Sequence, residues 1–125
     1  MPEYESSGFD PPAPVARVRV RASAGGKLID DVPMLIDTGA DITLLPRTAV
    51  ARAGVTPQAN TQYELIAFDG SRTVVDAVDL DMILLNKSFR GRYLLADDPI
   101  GILGRDVLNT LRLICDGPAQ EWETT

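Results

Sequence analysis

From Val15 onward apolar and polar residues alternate, with Ala16, Val18, Val20 and Ala22 on one side and Arg17, Arg19 and Arg21 on the other. A period of two is that of a half-buried strand. The arginine row reads as the solvated face of an outer strand, where charge discourages edge-to-edge association. Ala24-Gly25-Gly26-Lys27 is a turn signal and predicts a hairpin with a second strand over Leu28 to Met34. Leu35-Ile36 carry the apolar run into a polar turn, Asp37-Thr38-Gly39-Ala40, and Ile42-Thr43-Leu44-Leu45 predict another short strand. Pro46 suits the first turn of a helix and Gly54 its C-terminal cap, so a short helix is expected over Pro46 to Ala53.

In the second half, Tyr63 to Phe68 and Thr73 to Leu85 read as two strands around the hairpin tip Phe68-Asp69-Gly70-Ser71-Arg72. Asn86-Lys87 turns the chain into a strand over Phe89 to Leu95. Asp97-Asp98-Pro99 interrupts it before the apolar Ile100-Gly101-Ile102-Leu103-Gly104. Beyond that glycine, Val107, Leu108 and Leu111 recur at helical spacing and predict a helix of about two turns. Many short strands with two small helices make an all-β chain, a closed or nearly closed barrel or sandwich. Residues 1–14, with four prolines and three acidic residues, read as a disordered or extended arm, and 15–116 as one domain. Residues 117–125 read as a flexible tail that includes Trp122.

Composition narrows the chemistry. The 125 residues hold 45% hydrophobic and 24% charged side chains, as an ordinary globular domain does. The formal net charge of −6 argues against nucleic acid and against an anionic membrane surface as partners. No run reaches the length of a membrane span and the acidic N-terminus lacks a signal-peptide layout, so a cytoplasmic location is expected. There is no histidine, which removes Ser-His-Asp and Cys-His catalysis and the commonest zinc ligand. Cys115, alone in the apolar Leu111-Arg112-Leu113-Ile114-Cys115, reads as a small buried hydrophobe rather than a nucleophile. Asp79, Asp81, Asp97 and Asp98 read as solvated charges, since no metal-ligand spacing surrounds them. Neither a metal nor another cofactor is expected.

Acid–base chemistry near neutral pH then falls mainly to carboxylates. Asp37 stands directly after a buried strand, held by rigid backbone, while Thr38 offers a hydroxyl and Gly39 an unobstructed N–H. Hydrolysis by carboxylates alone needs two, one to activate water and one to polarise the carbonyl. Two such groups a few ångströms apart keep one proton between them. Only one Asp-Thr-Gly occurs, so a second copy related by a two-fold axis is the simplest source of the other.

Leu35-Ile36-Asp37-Thr38-Gly39-Ala40-Asp41 resembles the catalytic signature of the retropepsins, single-domain aspartic proteases of retroviruses and their cellular and bacterial relatives. Ile102-Leu103-Gly104-Arg105-Asp106, with the helix that follows, is similar to the family's apolar-apolar-Gly-Arg segment, and Phe68 to Arg72 occupies the place of its flap. The resemblance spans roughly Val15 to Asp116. It implies a closed acid-protease-type barrel with a flap hairpin, one short helix after the active-site loop and one C-terminal helix. It also implies a homodimeric endopeptidase that takes an extended polypeptide as an added strand. Asp37 would be catalytic, with Thr38 gripping the partner's loop and Gly39 touching substrate backbone. Ala40, Asp41, Phe68, Asp69, Gly70 and Ser71 would bind substrate. Gly104 and Arg105 would give structural support, Arg105 through a bidentate pair with Asp41. The polar, charged flap tip departs from the family and keeps a second reading open, a dimerisation or peptide-binding module with little or no protease activity. A small-ligand barrel would leave both motifs unexplained.

Overall fold

The computed structural model describes residues 2–23, 25–58 and 62–125. Its strands, in chain order, are β1 (Val15–Arg21), β2 (Ile29–Ile36), β3 (Leu44–Pro46), β4 (Gln62–Ile66), β5 (Arg72–Leu84), β6 (Lys87–Ala96), β7 (Gly101–Leu103), β8 (Leu113–Asp116) and β9 (Glu121–Thr124). Two helices interrupt them, α1 (Arg47–Arg52) and α2 (Arg105–Leu108). Six strands close in the order β1-β2-β7-β3-β6-β5, and β5 returns to β1, so the sheet is a barrel. β2 with β7 and β3 with β6 are parallel, whereas the other pairs of the ring are antiparallel.

Alternation explains which side faces in. Ala16, Val18 and Val20 of β1, Val32 and Met34 of β2, and Leu80 and Met82 of β5 are at most 1% exposed and meet in one core with Leu45 and Leu103. β5 has two roles along its 13 residues. Its second half pairs with β6 from Ala77 to Leu84 and with β1 from Asp81 to Ile83, and is barrel wall. Its first half pairs only with β4, from Gln62↔Asp76 to Ile66↔Arg72, and projects as a hairpin. Among the described residues no helix is long and apolar enough to cross a membrane.

Several expectations are corrected. The tail is packed: β8 and β9 form a hairpin, and Trp122 is 2% exposed within the main core. The arm is also held. Trp122 N–H donates to Pro2 O (2.9 Å), Tyr4 N–H to Gln120 O (2.7 Å), Glu5 and Ala13 exchange hydrogen bonds, and Ile36 N–H donates to Pro14 O (3.0 Å). Prolines cannot donate but their carbonyls still accept, so a proline-rich segment can serve an existing strand edge. Cys115 is exposed, because β8 lies in a peripheral two-stranded sheet that leaves its apolar run uncovered. β1 is flanked on both sides, so its arginines do not guard an edge. Arg17 instead pairs with Glu5 and Asp31, and Arg21 with Asp81.

Asp81, expected in solvent, is 2% exposed. Its two oxygens accept from Arg90 at 2.8 and 3.2 Å, and Arg21 lies 3.6 Å away. The Arg90 hydrogen bonds hold the carboxyl below the usual range against the opposing effect of burial. α1 starts one residue after Pro46, which stands as its extended N-cap. α2 is a single turn, shorter than expected, and Thr110 closes it by donating its hydroxyl to Val107 O (2.6 Å).

Candidate active site

Asp37 is the first residue past β2, at the point where the β2–β7 ladder ends. Its N–H still donates to Leu103 O (3.1 Å), so the carboxylate sits on backbone fixed by the barrel. One carboxylate oxygen accepts the Gly39 N–H at 3.0 Å, and the turn closes with Ala40 N–H to Asp37 O at 3.2 Å. A β-carbon on Gly39 would stand 3.2 Å from that oxygen, so glycine keeps the approach to the carboxylate open.

The loop is fastened from below by the second motif. Arg105 N–H donates to Ala40 O (2.9 Å), and the Arg105 guanidinium donates to Thr38 O (2.6 Å). Among the described residues Asp41 and Arg105 form no ion pair, which corrects that expectation. The loop turns the Thr38 carbonyl toward the start of α2 while Asp41 stays exposed, so the arginine binds backbone rather than carboxylate. Gly104 has a steric reason: an added β-carbon would fall 2.5 Å from the carbonyl carbon and oxygen of Ile42. No side chain fits between these two backbones.

Thr43 completes the floor. It is fully buried, donates its hydroxyl to Asp106 Oδ1 (2.6 Å) and accepts the Gly104 N–H (3.0 Å). Asp106 Oδ2 accepts the Thr43 N–H (3.1 Å). The roles of Thr43 and Asp106 were not read from the sequence. The available signal was a lone hydroxyl in the apolar Ile42-Thr43-Leu44-Leu45, which must find a partner when buried.

Above the floor lies a cleft of about 750 Å³. Asp37, Gly39, Ala40, Asp41, Phe68 and Arg105 line it, as do the apolar Ile42, Leu44, Leu65, Val75 and Ile102. Arg47, held by Asp76 (3.2 Å) and Asp97 (3.0 Å), lines its mouth and was likewise not anticipated. The β4–β5 hairpin forms the roof. Its tip is a turn closed by Gly70 N–H to Ala67 O and Ala67 N–H to Ser71 O, both 2.9 Å, with Gly70 at φ +84°. Asp69 accepts the Ser71 N–H (2.8 Å). Asp69, Gly70 and Ser71 therefore build the turn and do not line the cleft, while Thr38 and Gly104 lie beside and beneath it.

The chain matches the aspartyl protease family over residues 16–107. It belongs to that family. Among solved structures, the EIAV protease in complex with the inhibitor HBY-793 is similar, at 25% identity and a TM-score of 0.58 over 78% of this chain and 86% of that one. No curated protein matches. The retropepsin-like resemblance and the all-β barrel with its flap are thereby established.

Proposed function

We propose that this retropepsin-like chain is an aspartic endopeptidase that works as a homodimer, with water activated between the two Asp37 carboxylates. The observation that carries the reading is the position of Asp37: a carboxylate on barrel-fixed backbone, flanked by an open glycine, at the floor of a cleft roofed by a hairpin. One protomer supplies one such carboxylate and a half-open cleft.

In the dimer the ionised Asp37 removes a proton from water as the oxygen attacks the peptide carbonyl carbon. The protonated Asp37 of the partner subunit donates its proton to the carbonyl oxygen, giving a neutral gem-diol. Collapse breaks the C–N bond, with one carboxyl delivering a proton to the amine and the other recovering one from the diol. Atoms and protons balance without metal. The exposed Thr38 would grip the opposing loop, Gly39 would meet substrate backbone, and Ala40, Ile42 and Leu44 would receive apolar side chains. Ile66, Phe68 and Val74, which are 65%, 105% and 62% exposed, would be covered once substrate and the partner close the cleft.

The test is incubation with an unfolded polypeptide between pH 3 and 7, with and without a pepstatin-type inhibitor. Cleavage is expected, with inhibition by the compound and loss in Asp37→Asn. Cleavage that persists in Asp37→Asn overturns the reading. The polar tip Asp69-Gly70-Ser71 favours the alternative of a peptide-binding module, for which the same experiment gives bound but intact peptide.

A further inference from the structure

Three strands of the barrel meet at one place beside the cleft. β3 and β6 run parallel with Pro46 beside Ala96, so the next residue of each, Arg47 and Asp97, emerge together. On the other side of β6, β5 enters the wall at Ala77, opposite Leu94, which makes Asp76 the last hairpin residue before the wall. The register of β3, β6 and β5 therefore delivers one cation and two carboxylates to the root of the roof. Arg47 Nη1 donates to Asp76 Oδ2 (3.2 Å) and Arg47 Nε to Asp97 Oδ1 (3.0 Å). Arg47 and Asp97 both line the cleft.

The hairpin has little else to hold its root. Asp76 receives only a long contact from its cross-strand neighbour Gln62 (3.5 Å), and among the described residues Arg47 is its one cationic partner. On β4 the corresponding tie is weaker. Arg92, bound to its own cross-strand partner Asp79 at 3.0 and 3.3 Å, reaches the neutral Tyr63 hydroxyl at 3.4 Å. A guanidinium is planar and presents its N–H groups in a fixed fork, so one arginine can hold two carboxylates at a set separation. The Asp97 side chain is 90% exposed and that of Asp76 32%. The more sheltered Asp76 pair bears on the hairpin, while Asp97 orients the guanidinium from the barrel side.

We infer that Arg47 is a positioning residue for the roof: it ties the root of the β4–β5 hairpin, through Asp76, to the mouth of the cleft, through Asp97, and so sets how far the hairpin stands off the Asp37 floor. The floor contacts of Asp37, Thr38 and Ala40 run to Gly39 and Arg105 and do not involve Arg47. Its contribution therefore falls on closing the roof over a bound chain and not on the chemistry at Asp37. The consequence for cleavage rests on the proposed function, whereas the tie itself rests on strand register and distance.

Hydrogen exchange of the full chain reads the tie without any need for activity. In Arg47→Gln the hydrogen-bonded amides of the hairpin, residues 62–66 and 72–76, should exchange about threefold to fivefold faster, the range of one partly exposed ion pair. Those of the wall, residues 77–84, should stay within about 1.5-fold of wild type. Asp76→Asn should give the same change, and Arg47→Gln/Asp76→Asn no more than either alone, since both remove one contact. Arg47→Lys, which keeps the charge, should restore most of the protection. With a cleaved polypeptide, Arg47→Gln should raise KM about threefold and leave kcat within about twofold. Unchanged hairpin exchange, equal acceleration of hairpin and wall, additive single effects, or a fall in kcat at constant KM overturns the inference. A wild type that cleaves while Arg47→Gln alters neither hairpin exchange nor KM overturns the tie but leaves the protease. Hairpin exchange that responds as expected in a protein that cuts nothing supports the tie and overturns the protease.

Discussion

The floor and the roof of the cleft are built on opposite principles, although β5 runs through the barrel wall into the roof. On the floor the polar groups are tied to one another and to the backbone: Asp37 to Gly39 and Leu103, Thr43 to Asp106 and Gly104, and the Thr38 and Ala40 carbonyls to Arg105. The roof is a two-stranded ladder whose side chains, apart from Val75, are half-buried or exposed. A hairpin with so little burial opens at low cost, whereas a floor in which backbones meet without space for a methyl group cannot move alone. The function proposed above would draw on both: preorganised carboxylates and a cover that admits an extended chain.

The sharpest way to break the floor is chemical. Asp37→Asn should lower turnover by roughly 10⁴-fold while leaving the melting temperature near that of wild type, because only a surface carboxylate is exchanged. Steady-state cleavage together with thermal unfolding checks this. Next comes sterics. Gly104→Ala should destabilise by about 3 kcal/mol or more, since the new methyl group meets Ile42 backbone rather than a side chain able to rotate away. Urea unfolding reads that cost.

Thr43→Val, nearly isosteric, should cost about 2 kcal/mol by leaving the buried Gly104 N–H without an acceptor and removing one of the two hydrogen bonds to Asp106 Oδ1. A comparable loss from Thr73→Val in the roof would contradict the contrast. The wall half of β5 adds a pH signature. The Asp81 carboxyl is held below its ordinary value, so its stabilising contribution is fully present above the unfolded-state value of about 3.9. That contribution is lost as pH falls through the lower folded-state value. Wild type should therefore lose stability below about pH 4 more steeply than Asp81→Asn, in melts from pH 2 to 6. The smallest effect is expected at the roof. Phe68→Ser should change stability by less than about 0.5 kcal/mol, because the ring is wholly in water, yet should raise KM for polypeptide.

Legibility followed the same division. The strands of the barrel announced themselves through alternation, as at Val18, Val20, Leu80 and Met82, because a covered sheet face imposes its period on the sequence. Asp37 and Gly39 were legible as a carboxylate and an open glycine directly after a buried strand, whereas Gly104 was flagged only by the resemblance and its steric reason, the Ile42 backbone, came from the fold. The partner of Arg105 was misjudged, since a guanidinium can donate to a carboxylate or to a carbonyl, and only the loop's path chose the Thr38 carbonyl. Asp81 and Trp122 were placed in solvent because local polarity and chain position do not reveal that Arg90 pairs with the one and the barrel core receives the other.

The sequence by itself determined the period of the strands, the positions where only glycine fits, and the single carboxylate presented after a buried strand, all local consequences of sterics and alternation. The tertiary structure decided the pairings across the chain: Thr43 with Asp106, Arg105 with the Asp37 loop, and the arm with the tail. Those are meetings of distant segments, and many partners of suitable chemistry exist for each until closure of the barrel selects one by geometry.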